Sequence, residues 1–353
     1  MIKNLMRIST RPFGKTRTGE NAYLYTLANN NGISVSVTDN GAAMVSLIVP
    51  DKKGNPLDII RGFDDVMGYE NTTTYMGATI GRHAGQIWHG SFDMDGKTYK
   101  LVINDHDHTM HGGPEGFHSR MFHRINYDDD SLELSYISKD GEAGFPGNLE
   151  VKVSYLLLND DTLGIEYSAV CDKDTVLSMT NHAYFNLNGP ESDSVLDHQL
   201  KIYADKYTEV DEQGVPTGRI IPVSGTVYDF RDFHTIGERI NESDRELEFC
   251  KGYDHNWVIS PEKDNVRRLC CELKSQESLI HMQLFSNQPG LQMYSGNYMD
   301  GSEKGKNGIA HTSRSAMCLE PQVFPNGLRN PHFPSPILKK GEEYKYISMY
   351  KFC

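Results

Sequence analysis

The sequence predicts an all-β protein, a large antiparallel β-sandwich with few short helices. Two observations carry the prediction. Apolar and polar residues alternate with a period of two in many short stretches, and clusters of turn-forming residues separate those stretches. Helical patterning, by contrast, is scarce. Strands joined by hairpins build antiparallel sheets, and a sheet with one apolar face buries it against a second layer. The 353 residues, 38% of them hydrophobic, suffice for a sizeable core, and no linker rich in Pro, Gly or Ser divides them. One domain over residues 1–353 is therefore expected.

Taken in order, the first strand signal is Gly32-Ile33-Ser34-Val35-Ser36-Val37-Thr38, a strict alternation, followed by a turn cluster at Asp51–Pro56. Asp95-Gly96 between Ser91–Met94 and Lys97–Leu101 reads as a tight hairpin. Lys139-Asp140-Gly141 marks another turn. Leu149, Val151, Val153, Tyr155 and Leu157 then alternate with Glu150, Lys152 and Ser154. Leu163, Ile165, Tyr167 and Ala169 repeat the pattern after the turn at Asn159-Asp160-Asp161. The best helical candidate lies in Phe233–Phe249, where Asn241 and Ser243 break any long helix.

Composition excludes several function classes. A net charge of −13, from 48 acidic and 35 basic residues, repels phosphate backbones and anionic lipid, so neither nucleic acid nor membrane is an expected partner. No apolar run approaches the roughly 20 residues that cross a bilayer. Met1–Arg7 lacks the apolar stretch and cleavage site of a signal peptide, which points to the cytoplasm. The six cysteines follow no paired-ligand spacing and read as buried small apolar residues rather than a disulfide frame or zinc site. Phosphate-loop, serine-elbow and zincin motifs are all missing.

The histidines and carboxylates are more informative. His106, His108 and His111 crowd one loop before Gly112-Gly113-Pro114. Imidazoles two residues apart suit a metal, but no acidic or cysteine partner follows at ligand spacing. His106 and His108 are accordingly read as solvated loop residues, and no metal is expected. His182, among Asn and Tyr residues, is either a hydrogen-bonded core histidine or an acid–base group. Asp254 and Glu320 sit in apolar surroundings that raise a carboxyl's pKa toward neutrality, which suits a general base and equally a buried turn-capping group. The Pro289–Asn297 stretch, with Gln292 and Tyr294, offers the amide and aromatic groups that a sugar ring can use.

At these residues the chain resembles the galactose mutarotase (aldose 1-epimerase) family. Gly90–Lys97, Met110-His111-Gly112-Gly113, Asn181-His182-Ala183-Tyr184-Phe185-Asn186-Leu187, Pro216-Thr217-Gly218 and Gly252-Tyr253-Asp254-His255-Asn256 follow in family order. Pro289-Gly290-Leu291-Gln292, Gly305-Lys306-Asn307-Gly308, Cys318-Leu319-Glu320 and Phe333-Pro334 extend the match over nearly the whole chain. The resemblance implies a single mutarotase-type β-sandwich with an open cleft, no cofactor, and interconversion of the α and β anomers of a free aldose such as glucose or galactose. It implies Glu320 as the base at the anomeric hydroxyl and His182 as the acid at the ring oxygen. His111 becomes a second histidine near that oxygen, and Asp254 and Gln292 become holders of sugar hydroxyls.

One departure stands out. Where the family reads Gly-Arg-x-Ala-Asn-Arg, this chain reads Gly81-Arg82-His83-Ala84-Gly85-Gln86. Gln86 still offers an amide donor but lacks the charged, five-donor fork of arginine. Gln86 and Arg82 are therefore the candidates for the vacated sugar contact. The departure leaves open an epimerase for a disaccharide or other modified sugar, or a sugar-binding sensor without turnover. Asp254 with Glu320 would also suit a two-carboxylate glycosidase. A small sugar is the expected partner, with monomer and homodimer both open.

Overall fold

The structure, a computed structural model, describes residues 8–260, 262 and 264–353. The Met1–Arg7 stretch used above lies outside the described residues. Period-two alternation becomes layered sheet, as expected. A nine-stranded antiparallel sheet runs, in spatial order, through His123–Tyr127, Ser131–Ser138, Leu149–Leu157, Thr162–Cys171, Glu343–Phe352, His281–Ser286, Arg268–Lys274, Gln199–Ile202 and His234–Thr235. A six-stranded antiparallel sheet runs through Tyr184–Phe185, Met317–Gln322, Gly290–Tyr294, Asp254–Val258, Lys206–Val210 and Pro216–Pro222. Residues 8–58 contribute a five-stranded sheet that begins at Ile8–Lys15 and ends at Pro56–Asp58.

The layers share one core. Leu149, Val151, Val153, Tyr155 and Leu157 point inward from the nine-stranded sheet, in the alternation their sequence predicts. Trp257, Leu291, Met293, Met317 and Leu319 do so from the six-stranded sheet, and Val35 and Val37 from the five-stranded one. Burying a large aliphatic or aromatic side chain stabilises by about 1.5–3 kcal/mol, so this interface dominates the fold's favourable energy.

Local signals are equally physical. Asp95 (φ 51°) and Gly96 (φ 74°) take the left-handed conformation that a two-residue hairpin between Ser91–Met94 and Lys97–Lys100 requires. The Phe233–Phe249 window splits as expected, into a 3₁₀ turn at Ile236–Glu238 and a helix at Arg245–Cys250. The Asp244 carboxylate caps that helix by accepting from the Glu246 and Leu247 amides. A second short helix, Val66–Asn71, carries no periodic signal of its own and is started by Asp65, which accepts from Gly68 N–H.

Candidate active site

The same alternation that buries Trp257 and Leu291 turns the intervening residues of the six-stranded sheet the other way. Asp254, Tyr294, Cys318 and Tyr184 form one cross-strand row, and Asn256, Gln292 and Glu320 the adjacent row. One sheet face is therefore polar and floors a cavity of about 410 Å³. Loops carrying Tyr75, Gly85-Gln86, Asp105–His111, Gln213 and Tyr298 wall it. A larger hollow of about 770 Å³ around Asp229 and Arg231 is an open surface depression. Its Arg231 is already paired, 2.7 Å from Asp229 and 3.3 Å from Asp205.

Glu320 is only 2% exposed, and its Oε2 has no hydrogen-bond partner. Burial, reinforced by the nearby Asp254 carboxylate, pushes its carboxyl well above the usual range. His182 Nε2 lies 3.7 Å from Glu320 Oε1. Burial pulls that imidazole down to about 4, with a smaller contribution from His118. Desolvation thus pushes the two groups in opposite directions, each away from its charged form. The imidazole is set between aromatic rings, Tyr184 at 5.1 Å and Tyr75 at 6.0 Å between centroids.

The other expected residues line the same cavity. His111 meets His182 edge to face at 5.3 Å, and its Nδ1 accepts from the Gly85 amide at 3.2 Å. That donation assigns the neutral ring's proton to Nε2. Burial, with His182, His118 and His83 nearby, holds His111 well below an ordinary imidazole. Gln292 Nε2 donates to Asp254 Oδ1 at 2.7 Å, while Gln292 Oε1 stays unpartnered. Burial raises the Asp254 carboxyl despite that bond. The Gln86 amide nitrogen is 4.0 Å from the Met110 sulfur, beyond a strong hydrogen bond.

Two expectations are corrected. Arg82 is not a cavity residue. It is 2% exposed, and its guanidinium donates to Ser138 Oγ, to the carbonyls of Ser138, Lys139, Pro146 and Gly147, and to Thr175 Oγ1. All three guanidinium nitrogens are committed to stitching loops together, so Arg82 does not take over the contact left by Gln86. His108 is not solvated either. It is fully buried, accepts the His89 amide at Nδ1 (3.0 Å) and faces Gln213 Oε1 at 2.5 Å through Nε2. With Nδ1 accepting, the neutral ring's proton is on Nε2, facing Gln213 and Asp107 Oδ1 at 3.2 Å. His106 is exposed, as expected.

Sequence reading missed Tyr75, Tyr298, Asp105, Cys318 and Gln322 as lining or supporting residues. For Cys318 and Gln322 the signal was present: each lies two positions from Glu320, on the same strand face. Tyr75 gave none, because its loop joins the site only through the tertiary fold. No Lys or Arg is among the described residues lining the cavity, whereas Asp105, Asp254 and Glu320 are. That lining suits a neutral polyol and repels a phosphate.

Comparison with known proteins identifies the family. The family model described as aldose 1-epimerase matches residues 23–351. The chain is 35% identical over 348 residues to the galactose mutarotase of Bos taurus, covering 99% of each chain. It is 34% identical over 336 residues to the aldose 1-epimerase of Escherichia coli K12, covering 95% of this chain and 96% of that one. The crystal structure of the GalM/aldose epimerase homologue from C. elegans superposes with a TM-score of 0.86 at 30% identity, covering 94% of this chain and 98% of that chain. Fold and site together define a carbohydrate isomerase built on an antiparallel β-sandwich. The chain belongs to the aldose 1-epimerase family. Its activity is the interconversion of sugar anomers, and its substrate is a small sugar.

Proposed function

We propose that Glu320 and His182 open and close the ring of a neutral free aldohexose by general acid–base catalysis. The observation that carries this reading is the Nε2–Oε1 separation of 3.7 Å between an imidazole and a carboxyl buried together at the cavity floor. The Glu320 carboxylate takes the O1 proton as the C1–O5 bond breaks, and protonated Nε2 of His182 delivers its proton to O5. Rotation about C1–C2 then presents the other aldehyde face, and closure reverses both transfers. Each positioned proton transfer contributes about 10²–10⁴ in rate. His111, through Nε2–H, is assigned to the region of O5, and Asp254, Gln292 and Gln86 to the hydroxyls.

The same reading takes residues 1–353 as one catalytic domain working in the cytoplasm. Cavity residues drawn from Thr73 to Pro325 support a single unit. Galactose enters as the first substrate to try because relatives such as the Bos taurus protein carry it in their names. A disaccharide is a second reading, favoured by Gly85. Gly85 holds φ 77°, and a Cβ there would stand 2.6 Å from Pro325 Cβ, so this wall stays without a side chain. Freshly dissolved α-galactose, α-glucose, α-maltose and α-glucose 6-phosphate, followed by polarimetry, test the assignment. Neutral sugars are expected to relax faster with protein, and the phosphate least. Preferential acceleration of the phosphate would refute the neutral-substrate reading, and no acceleration of any would favour a sensor.

A further inference from the structure

Cys318 and Glu320 sit two positions apart on Met317–Gln322, so their side chains emerge on one face of one strand. His182 stands between them. Its Nε2 is 3.7 Å from Glu320 Oε1, and its Nδ1 is 3.4 Å from Cys318 Sγ. Cys318 is the hydrogen-bond partner recorded for Nδ1 among the described residues. The histidine's backbone is pinned as well, its amide donating to Ala78 and its carbonyl accepting from Gly77, both at 2.9 Å. Tyr184 lies directly opposite Cys318 across the strand pair. One strand therefore addresses both nitrogens of the imidazole, with the carboxyl at one and the sulfur at the other.

We propose that Cys318 is a positioning residue for the reaction: its sulfur accepts Nδ1–H of His182 and so reserves Nε2 for the proton exchanged with the sugar. The proposal rests on the assignment of His182 as the acid. In ring opening the O1 proton goes to Glu320, the C1–O5 electron pair goes to O5, and O5 takes the proton from Nε2. The Nδ1 proton stays in place throughout and holds the ring plane toward Glu320. Were the neutral ring to carry its proton on Nε2 instead, closure would find no lone pair to receive the O5 proton. A neutral sulfur suits this place better than a carboxylate. It is a weak acceptor that fixes the tautomer without stabilising the imidazolium, so the cation remains a strong acid. Burial holds the Cys318 thiol well above its ordinary range, which keeps the sulfur neutral.

The test combines kinetics with ¹⁵N-histidine NMR on the free protein, for the parent, Cys318→Ala and Cys318→Ser. The parent spectrum should place the neutral His182 proton on Nδ1. Cys318→Ala should mix the tautomers and lower kcat about tenfold or more with KM within about twofold, as misplacement of a reacting group does. Serine, which keeps an acceptor, should restore most of both. A parent His182 protonated on Nε2 overturns the proposal, even if Cys318→Ala fails to fold. So does a Cys318→Ala variant with unchanged tautomer and kcat. Full activity in His182→Asn would instead overturn the acid–base assignment, and the tautomer measurement would still judge Cys318 separately.

Discussion

At the scale of single residues, the site is governed by desolvation. Glu320 and His182 are each pushed toward their neutral forms, yet in the mechanism proposed above one proton shared between them serves either arrangement: carboxylate with imidazolium before ring opening, acid with imidazole after it. Such a pair titrates as a unit. It gains a second proton only when His182 protonates beside protonated Glu320, and burial sets that step near 4. It loses its last proton only where the raised Glu320 carboxyl ionises. kcat is therefore expected to stay flat from neutrality down to about pH 5 and to fall below that. An acid limb centred at an ordinary histidine value near 6.5 would show that desolvation does not control the pair. Polarimetric rates across that range decide it.

At the scale of elements, the strand Met317–Gln322 does most to build the site. Its odd positions, Met317 and Leu319, fill the core, and its even positions, Cys318, Glu320 and Gln322, face the cavity side. A slip of one residue would exchange the two sets. This periodicity is why so much was legible in advance. Leu149–Leu157 and Thr162–Cys171 follow strict alternation, and Glu320, His182, His111, Asp254, Gln292 and Gln86 converge on one cavity. What was not legible depended on partners distant in sequence. Arg82 looks available for a ligand until Ser138, Pro146 and Gly147 are folded around it. His108 looks solvated until Gln213 closes over it. The two-residue strands Thr180–Asn181 and Tyr184–Phe185, which carry His182 between them, are too short for any periodic signal.

At the scale of the whole molecule, the buried histidines set a limit on stability. His83, His182, His198 and His311 are each at most 5% exposed, and burial holds each near 4 against an ordinary 6.5. The unfolded chain protonates these rings first as the pH falls, so their contribution is complete above about 6.5 and lost progressively down to about 4. Each accounts for a few kcal/mol at most, yet four together rival the 5–15 kcal/mol that holds a typical domain. Asp39, raised to about 6 by burial, opposes the trend, as do the raised Asp254 and Glu320 carboxyls, while His111 and His118, also depressed by burial, add to it. The melting temperature is predicted to fall steeply between pH 6.5 and 4. A melting temperature constant over that interval would mean that these rings are protonated in the folded state.

In the proposed mechanism a buried carboxyl and a buried imidazole move protons on and off a sugar hemiacetal, and one substitution at the carboxyl separates that role from a structural one. Glu320→Gln keeps shape and volume but cannot accept a proton at O1. Polarimetry on a freshly dissolved α-anomer, with the parent and this variant at equal concentration, is the measurement. Accelerated decay to the same final rotation is expected with the parent, and a loss of at least about a hundredfold in kcat with the variant. A folded Glu320→Gln protein that retains the parent's rate would contradict the assignment of Glu320 as the base.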